Sequence, residues 1–344
     1  MNYGDNAINL VICKILNTNN LSVESKSFWS EEEVFGKKYY TYPKIIRWLL
    51  WNCSFLMDFY NYVNINNIIR TNNYDAIIIG GGELLGCNFG FNSSLYLWTK
   101  LSKKRGIPVY LIGVSGSLDM PKNKIRRNSK SLSICRRIFV RDSYTKEMVE
   151  KKYGYKCERI HDCVFSYKKI FKNNLPKFEN KDSILVVPIL FYDGIKKGLG
   201  LKNEEEYIDY MKSELYKEVI SYKNNKIVIT CTDLGDESFS NKLYQSIIED
   251  EKYKKKDIVF CPFTTLDDFL ELVNKAELII SSRMHAMILG KIFGSDIYPI
   301  AFKNKLKIFK DEYQNIKDIN NIEFESYGQL KSICNTIISD VKEK

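Results

Sequence analysis

Eight short apolar runs, each closed by turn residues and separated by stretches of helical pattern, constrain this chain more than any other feature. They are Asp75–Ile79, Pro108–Ile112, Arg137–Val140, Ile184–Pro188, Lys226–Thr230, Asp257–Phe260, Glu277–Ile280 and Asp296–Ile300. The runs are continuous rather than alternating, which predicts strands covered on both faces. Between them, Ser143–Tyr153 opens on a Ser N-cap and ends before Gly154, as helices commonly do. Glu204–Tyr222 predicts a long mixed-charge helix. Thr265–Lys275 carries Leu266, Phe269, Leu270 and Val273 at helical spacing behind a Thr cap. Strands alternating with helices predict parallel α/β sheets.

A length of 344 residues suits two domains. The polar segment 168–183, which carries Pro176, divides two βα series. The expected organisation is therefore an N-terminal Rossmann-like domain over residues 1–167, a linker, and a C-terminal Rossmann-like domain over 184–326. A final helix over 327–344 is expected to pack back on the first domain. Two such domains predict a cleft, with ligands held by loops at the carboxyl ends of strands.

Composition narrows the classes. With 44% hydrophobic and 27% charged residues, the chain is neither disordered, collagen-like nor a small disulfide scaffold. Its nine cysteines are odd in number and form no CxxC, which predicts reduced thiols rather than a disulfide frame or a zinc or iron–sulfur site. No metal or cofactor is expected. Lys and Arg number 52 against 42 Asp and Glu, a formal net charge of +10. That excess suits an anionic ligand, an anionic membrane or nucleic acid, or simple drift in a chain rich in Asn, Lys, Ile and Tyr. No basic stripe or nucleic-acid motif is visible, so a nucleic-acid partner is not expected. The segment beginning at Met1 has no basic then apolar signal pattern, and a cytoplasmic protein is expected. The longest apolar stretch, Trp48–Val63, is interrupted by Asn52, Asp58 and Asn61 and is too short to span a bilayer. With Lys44 and Arg47 before Trp48 and Trp51, it reads either as a packed helix or as a peripheral membrane contact.

Five strand-end loops carry the chemistry. Asn2–Asn6 precedes an apolar helix over residues 8–16; there Asp5 can cap the helix, bind a hydroxyl or act as a base. Gly80-Gly81-Gly82 follows the first run, and three glycines let a backbone approach a ligand, although neither GxGxxG nor a Walker A loop is present. Ile112–Ser117, with Ser115 and Gly116, has the small and hydroxylated residues that suit an anion. Arg141 sits at another strand end, placed for bidentate contact with an anion or for an internal salt bridge. The most informative loop is Ser281-Ser282-Arg283-Met284-His285. One of only two histidines in the chain stands two residues after an arginine, where a strand gives way to a helix; an anion clamp beside a group titrating near neutrality suits acid–base work. His161-Asp162 is the other candidate pair, with Asp162 the better ligand-orienting group.

Taken in order, NYGDNAI at 2–8, DAIIIGGGELLG at 75–86, IGVSGS at 112–117, VRDSYT at 140–145, HDCVF at 161–165 and SSRMHAMILGKIFG at 281–294 resemble the polysaccharide pyruvyl transferase family. Phe302-Lys303-Asn304-Lys305 is similar to the family's later aromatic-x-x-Lys. The resemblance implies a glycosyltransferase-B-like fold and transfer of a pyruvyl group from phosphoenolpyruvate to a sugar of a surface polysaccharide or its lipid-linked precursor, forming a cyclic ketal. On the matching positions His285, Arg283 and Asp162 are the expected catalytic residues. Asp5, Gly81, Gly82, Ser115, Gly116, Arg141, Ser282 and Lys305 are the expected substrate-binding ones. Two departures stand out: the family's strand before N-x-G-D has no counterpart after Met1, and position 161 is His where the family usually has Pro. The rival functions are a nucleotide-sugar glycosyltransferase of the same fold, whose acidic ribose-binding residue is not identifiable here, and a noncatalytic anion-binding protein.

Overall fold

The computed structural model describes residues 2–19, 21–26, 53–86, 89–173, 175, 180–220, 222 and 226–343. Trp48 and Trp51, with Lys44 and Arg47, lie outside them. Two compact units emerge: one joins Met1–Ala7 to Tyr167–Glu323, the other joins Ile8–Ser166 to Phe324–Lys344.

Up to residue 166 the elements are α1 (Tyr3–Thr18), α2 (Ser54–Thr71), β1 (Ile77–Gly80), α3 (Phe89–Lys104), β2 (Val109–Val114), α4 (Lys122–Leu132), β3 (Arg137–Val140), α5 (Ser143–Glu147) and β4 (Glu158–Arg159). The four strands pair in parallel in the order β1-β2-β3-β4. All six residues of β2 are buried, as a strand covered on both faces requires. The helix expected over Ser143–Tyr153 is present, but after Glu147 it widens into a π-helical turn, Met148–Tyr153, and stops at Gly154 with φ 76°. Glycine adopts that left-handed conformation without a Cβ penalty.

From residue 167 come α6 (Tyr167–Ile170), β5 (Ser183–Val187), α7 (Asp193–Leu199), α8 (Glu204–Val219), β6 (Lys226–Ile229), α9 (Glu237–Ile248), β7 (Asp257–Phe260), α10 (Leu266–Lys275), β8 (Ala276–Ser281), α11 (Met284–Ile292), β9 (Asp296–Pro299), α12 (Asn304–Tyr313) and α13 (Asn320–Lys342). Five parallel strands pair in the order β7-β6-β5-β8-β9. The chain starts in the middle at β5, winds outward to β7, then returns to β8 on the other side. That is the doubly wound Rossmann arrangement, and the direction of winding reverses between β5 and β8. α10 shows local and tertiary signals agreeing. Thr265 and Asp268 form a capping box, and Leu266, Phe269, Leu270 and Val273 are buried.

The start of the chain differs from the sequence reading. The helix expected over residues 8–16 begins at Tyr3, because the first residues are anchored from outside. The Asn2 side-chain oxygen accepts from the Gly4 amide at 2.8 Å, so Asn2, not Asp5, is the cap. The Tyr3 amide donates to the Thr232 carbonyl, and its ring stacks on Phe263 with centroids 4.6 Å apart. Its hydroxyl accepts from the Thr264 amide.

α13 closes the other unit on its sheet. Asp340 accepts from the Tyr110 hydroxyl at 3.1 Å and lies within ion-pair distance of Arg136 and Arg137. Among the described residues no helix is long and apolar enough to cross a membrane.

Candidate functional site

The reversal between β5 and β8 opens a crevice beyond their carboxyl ends, the place where open α/β sheets bind ligands. β8 ends at Ser281 and α11 begins at Met284, so Ser282 and Arg283 form the turn between them. Ser281 shapes that turn. Its hydroxyl donates to the Val187 carbonyl at 2.9 Å and accepts from the Arg283 amide at 2.8 Å. Arg283 is the N-cap residue of α11 and His285 lies in its first turn. Arg283 thus stands in the strand-to-helix turn and His285 in the helix that follows it.

The Arg283 guanidinium is held by a residue the sequence reading passed over. Nε donates to Asp236 Oδ2 at 2.8 Å, and Nη2 reaches the same oxygen. Asp236 is fully buried and also accepts from the Leu190 amide at 3.0 Å. Burial lifts its carboxyl above the ordinary range, and the Arg283 charge and the Leu190 amide pull against that. Two of the guanidinium's nitrogens are thereby fixed. Among the described residues nothing accepts from Nη1, and about a fifth of the side chain is open to solvent. An immobilised guanidinium with one edge facing outward can bind a small anion without reordering first.

His285 is half-buried, and its ring lies against the first turn of α1. A Cβ at Gly4 would overlap Nδ1 and crowd Cγ and Cβ of the imidazole. Gly4 is therefore a shelf for the ring, and any side chain there must push it away. The amino ends of two helices, α1 and α11, meet at this imidazole, and both favour anions. Gly4→Ala is expected to displace the ring and lower turnover by about a hundredfold, the typical cost of a misplacement of roughly an ångström. The thermal midpoint should stay near that of the parent. Unchanged turnover in steady-state kinetics would mean the shelf has no role.

The other expected residues of this unit fall around the same edge. Ser282 is buried and its hydroxyl hydrogen-bonds Tyr207 at 3.2 Å, so its oxygen serves the scaffold. Burial drives the Tyr207 phenol upward, which leaves it a neutral partner for Ser282. Lys305 stands in the first turn of α12, beyond β9. The residues just before it pack on the loop after β5: the Phe302 and Tyr192 rings are 5.9 Å apart, and Lys303 lies over Tyr192. Asp5 is exposed, next in sequence to the glycine shelf.

The remaining expected residues form a second cluster in the other unit. Arg141 is only 6% exposed. Its Nη1 donates to Asp162 Oδ2 at 2.7 Å and its Nη2 to the Ser115 hydroxyl at 2.9 Å. The other Asp162 oxygen accepts from the Val164 amide at 3.0 Å. Both carboxylate oxygens thus serve internal donors, an arrangement suited to holding Arg141 rather than to accepting a substrate proton. The glycine loops are tied to each other above this pair: the Ser115 amide donates to the Gly82 carbonyl, and the Leu85 amide to the Ser115 carbonyl. Their glycines answer to packing. A Cβ at Gly80 would lie 2.5 Å from Ile12, one at Gly81 would lie 2.6 Å from Ile8, and one at Gly116 would lie 2.6 Å from Leu85 and Met148. Gly81 and Gly82 also have φ of 72° and 74°. The triglycine loop uses its glycines for the turn and for close packing against α1. His161 pairs with Glu325 at 3.1 Å, outside this network.

Two parallel, Rossmann-type sheets with an Arg-x-His turn at the switch point define an α/β protein of the glycosyltransferase-B class. The fold matches the UDP-GlcNAc 2-epimerase from Neisseria meningitidis bound to UDP-GlcNAc, with 10% identity and a TM-score of 0.53 over 98% of this chain and 97% of that one. It also matches the UDP-GlcNAc 2-epimerase from Methanocaldococcus jannaschii, with 12% identity and a TM-score of 0.50 over 80% and 81%. At such identities the likeness is one of fold. No curated protein matches the sequence. The sequence model of the polysaccharide pyruvyl transferases matches residues 2–294, and the chain belongs to that family.

Proposed function

We propose that the chain transfers a pyruvyl group from phosphoenolpyruvate to two hydroxyls of a polysaccharide sugar or its lipid-linked precursor, forming a ketal. The observation that carries this reading is the switch-point turn, where Arg283 is locked on Asp236 and the His285 imidazole rests on Gly4. Phosphoenolpyruvate is a small enol bearing a phosphate and a carboxylate. A pre-set guanidinium edge and two helix amino ends suit that charge.

In the proposed mechanism His285 donates a proton to C3 of the enol. Positive charge develops at C2, and one sugar hydroxyl adds there while losing its proton. The C2–O bond to phosphate then breaks, phosphate leaves with the electron pair, and the second hydroxyl closes the ring at C2 while its proton returns to the His285 imidazole. The sum is donor plus diol giving ketal plus inorganic phosphate. Asp162 is engaged on both oxygens, so the exposed carboxylate of Asp5, beside the glycine shelf, is the better candidate to receive the hydroxyl proton. Lys305, beyond β9, would add charge for the donor phosphate.

Binding of the donor is tested by calorimetry with phosphoenolpyruvate. Arg283→Lys cannot span Asp236 and an anion with a planar fork, and should weaken binding by at least about tenfold. Unchanged affinity would refute the assigned donor contact. Tight binding of a nucleoside diphosphate with none of phosphoenolpyruvate would favour a nucleotide-sugar transferase instead.

A further inference from the structure

We propose that the outward face of α2, together with the neighbouring α4, docks on an anionic lipid surface. α2 carries apolar side chains on both faces. Its inward face contains Met57, Ile65 and Ile69 but also Asn61, which is buried and donates to the Ser93 hydroxyl at 3.0 Å. Its outward face, over its first ten residues, presents Phe55, Leu56, Phe59, Tyr62 and Val63. Phe55 is 72% exposed and Phe59 61%. Single exposed apolar residues are ordinary, but a cluster along one helix marks a binding surface.

The charge beside this stripe selects the partner. α4 reads KNKIRRNSKSL: five basic residues and no acidic one in eleven. It is tied to α2 by Arg127, which donates to Asp58 Oδ1 at 2.9 Å, while Ser93 donates to the same oxygen at 2.6 Å. The one acidic side chain of α2 is thereby neutralised within the fold, and Lys122, Arg126 and Lys130 remain exposed on α4. Aromatic and aliphatic side chains beside a row of exposed cations match a bilayer interface, where rings enter the headgroup level and cations meet anionic lipid. A two-fold dimer through this face would bring two copies of the basic helix to one interface, which like-charge repulsion disfavours. The surface is independent of the Arg283–His285 turn, so the proposal stands or falls separately from the reaction assigned above.

Sedimentation with lipid vesicles tests it on the whole chain. The protein should sediment with phosphatidylcholine vesicles containing phosphatidylglycerol, not with pure phosphatidylcholine, and salt should release it. The paired change Phe55→Ser and Phe59→Ser should cut partitioning by roughly tenfold for each ring lost. Lys122→Gln with Arg126→Gln should cut it by roughly fivefold for each charge. Both variants change only exposed positions and should keep the parent's circular dichroism and turnover of a soluble acceptor. Failure of the parent to bind phosphatidylglycerol vesicles would overturn the proposal, as would variants that bind like the parent. A parent dimer that the phenylalanine changes render monomeric in light scattering would overturn it in favour of self-association.

Discussion

Replacing His285 with alanine is expected to slow pyruvyl transfer by about 10²–10⁴-fold, the range that a positioned general acid contributes. Phosphoenolpyruvate affinity should change much less, because Arg283 and the two helix amino ends remain. The distinction follows from the geometry. Arg283 is the fixed element, held by a fully buried carboxylate. The His285 ring rests against Gly4, in space that a Cβ there would fill. Removing the ring therefore takes away the proton donor and leaves the charge recognition standing. Phosphate release within threefold of the parent would show that another group protonates C3. A matching loss of donor affinity would make His285 a binding residue rather than an acid. Asp236→Asn separates these roles further: it keeps the shape beside Arg283 but loosens the fork, so KM for the donor should rise more than kcat falls.

The second large effect is on stability. Asp162→Ala should destabilise the protein by about 3–5 kcal/mol, the usual result of stranding one charge of a buried pair. Arg141 would keep its bond to Ser115 but lose the Asp162 carboxylate, at a site 6% exposed. The Val164 amide would lose its acceptor as well. Because Ser115 is bonded in turn to the triglycine loop, the loss should spread to the carboxyl ends of β1 and β2. The urea midpoint should fall accordingly. Asp162→Asn should cost less, since an amide oxygen can still accept from Arg141. A change below about 1 kcal/mol for Asp162→Ala, the scale of exposed pairs, would mean that the pair is hydrated and adds little.

The strands were legible because burial on both faces leaves an unbroken apolar run, and all eight expected runs form strands. β4 was not legible. It is two residues long, Glu158 and Arg159, both exposed, and pairs with β3 in parallel. The Arg283–His285 turn could be read from the sequence because chemistry placed at a strand end carries a positional meaning. Asp236 could not, since it lies 47 residues earlier in a Gly- and Asp-containing loop that reads as a turn. The signal was available: the loop following the run Lys226–Thr230 is itself a strand end, and it carries Asp233 and Asp236. Asp5 shows the opposite error. A residue in an Asn-Tyr-Gly-Asp stretch looks like a cap, but the helix begins earlier because Tyr3 is anchored on Thr232, Phe263 and Thr264, contacts more than 220 residues away. The packing of Ile8 and Ile12 against Gly81 and Gly80 was not legible, because no local rule reveals which distant side chains will press on a loop. The stretch Trp48–Val63 lies partly outside the described residues. Its described part is a helix that buries Met57 and Asn61 and exposes Phe55 and Phe59, a division that apolar content alone cannot reveal.

Mass spectrometry of candidate lipid-linked and free saccharides, incubated with the protein and phosphoenolpyruvate, tests the pyruvyl-transfer reaction itself. The expected product is the acceptor heavier by one pyruvic acid less one water, formed with equimolar phosphate and absent with His285→Ala. Failure of every acceptor to gain that mass while a nucleotide sugar is consumed would contradict it.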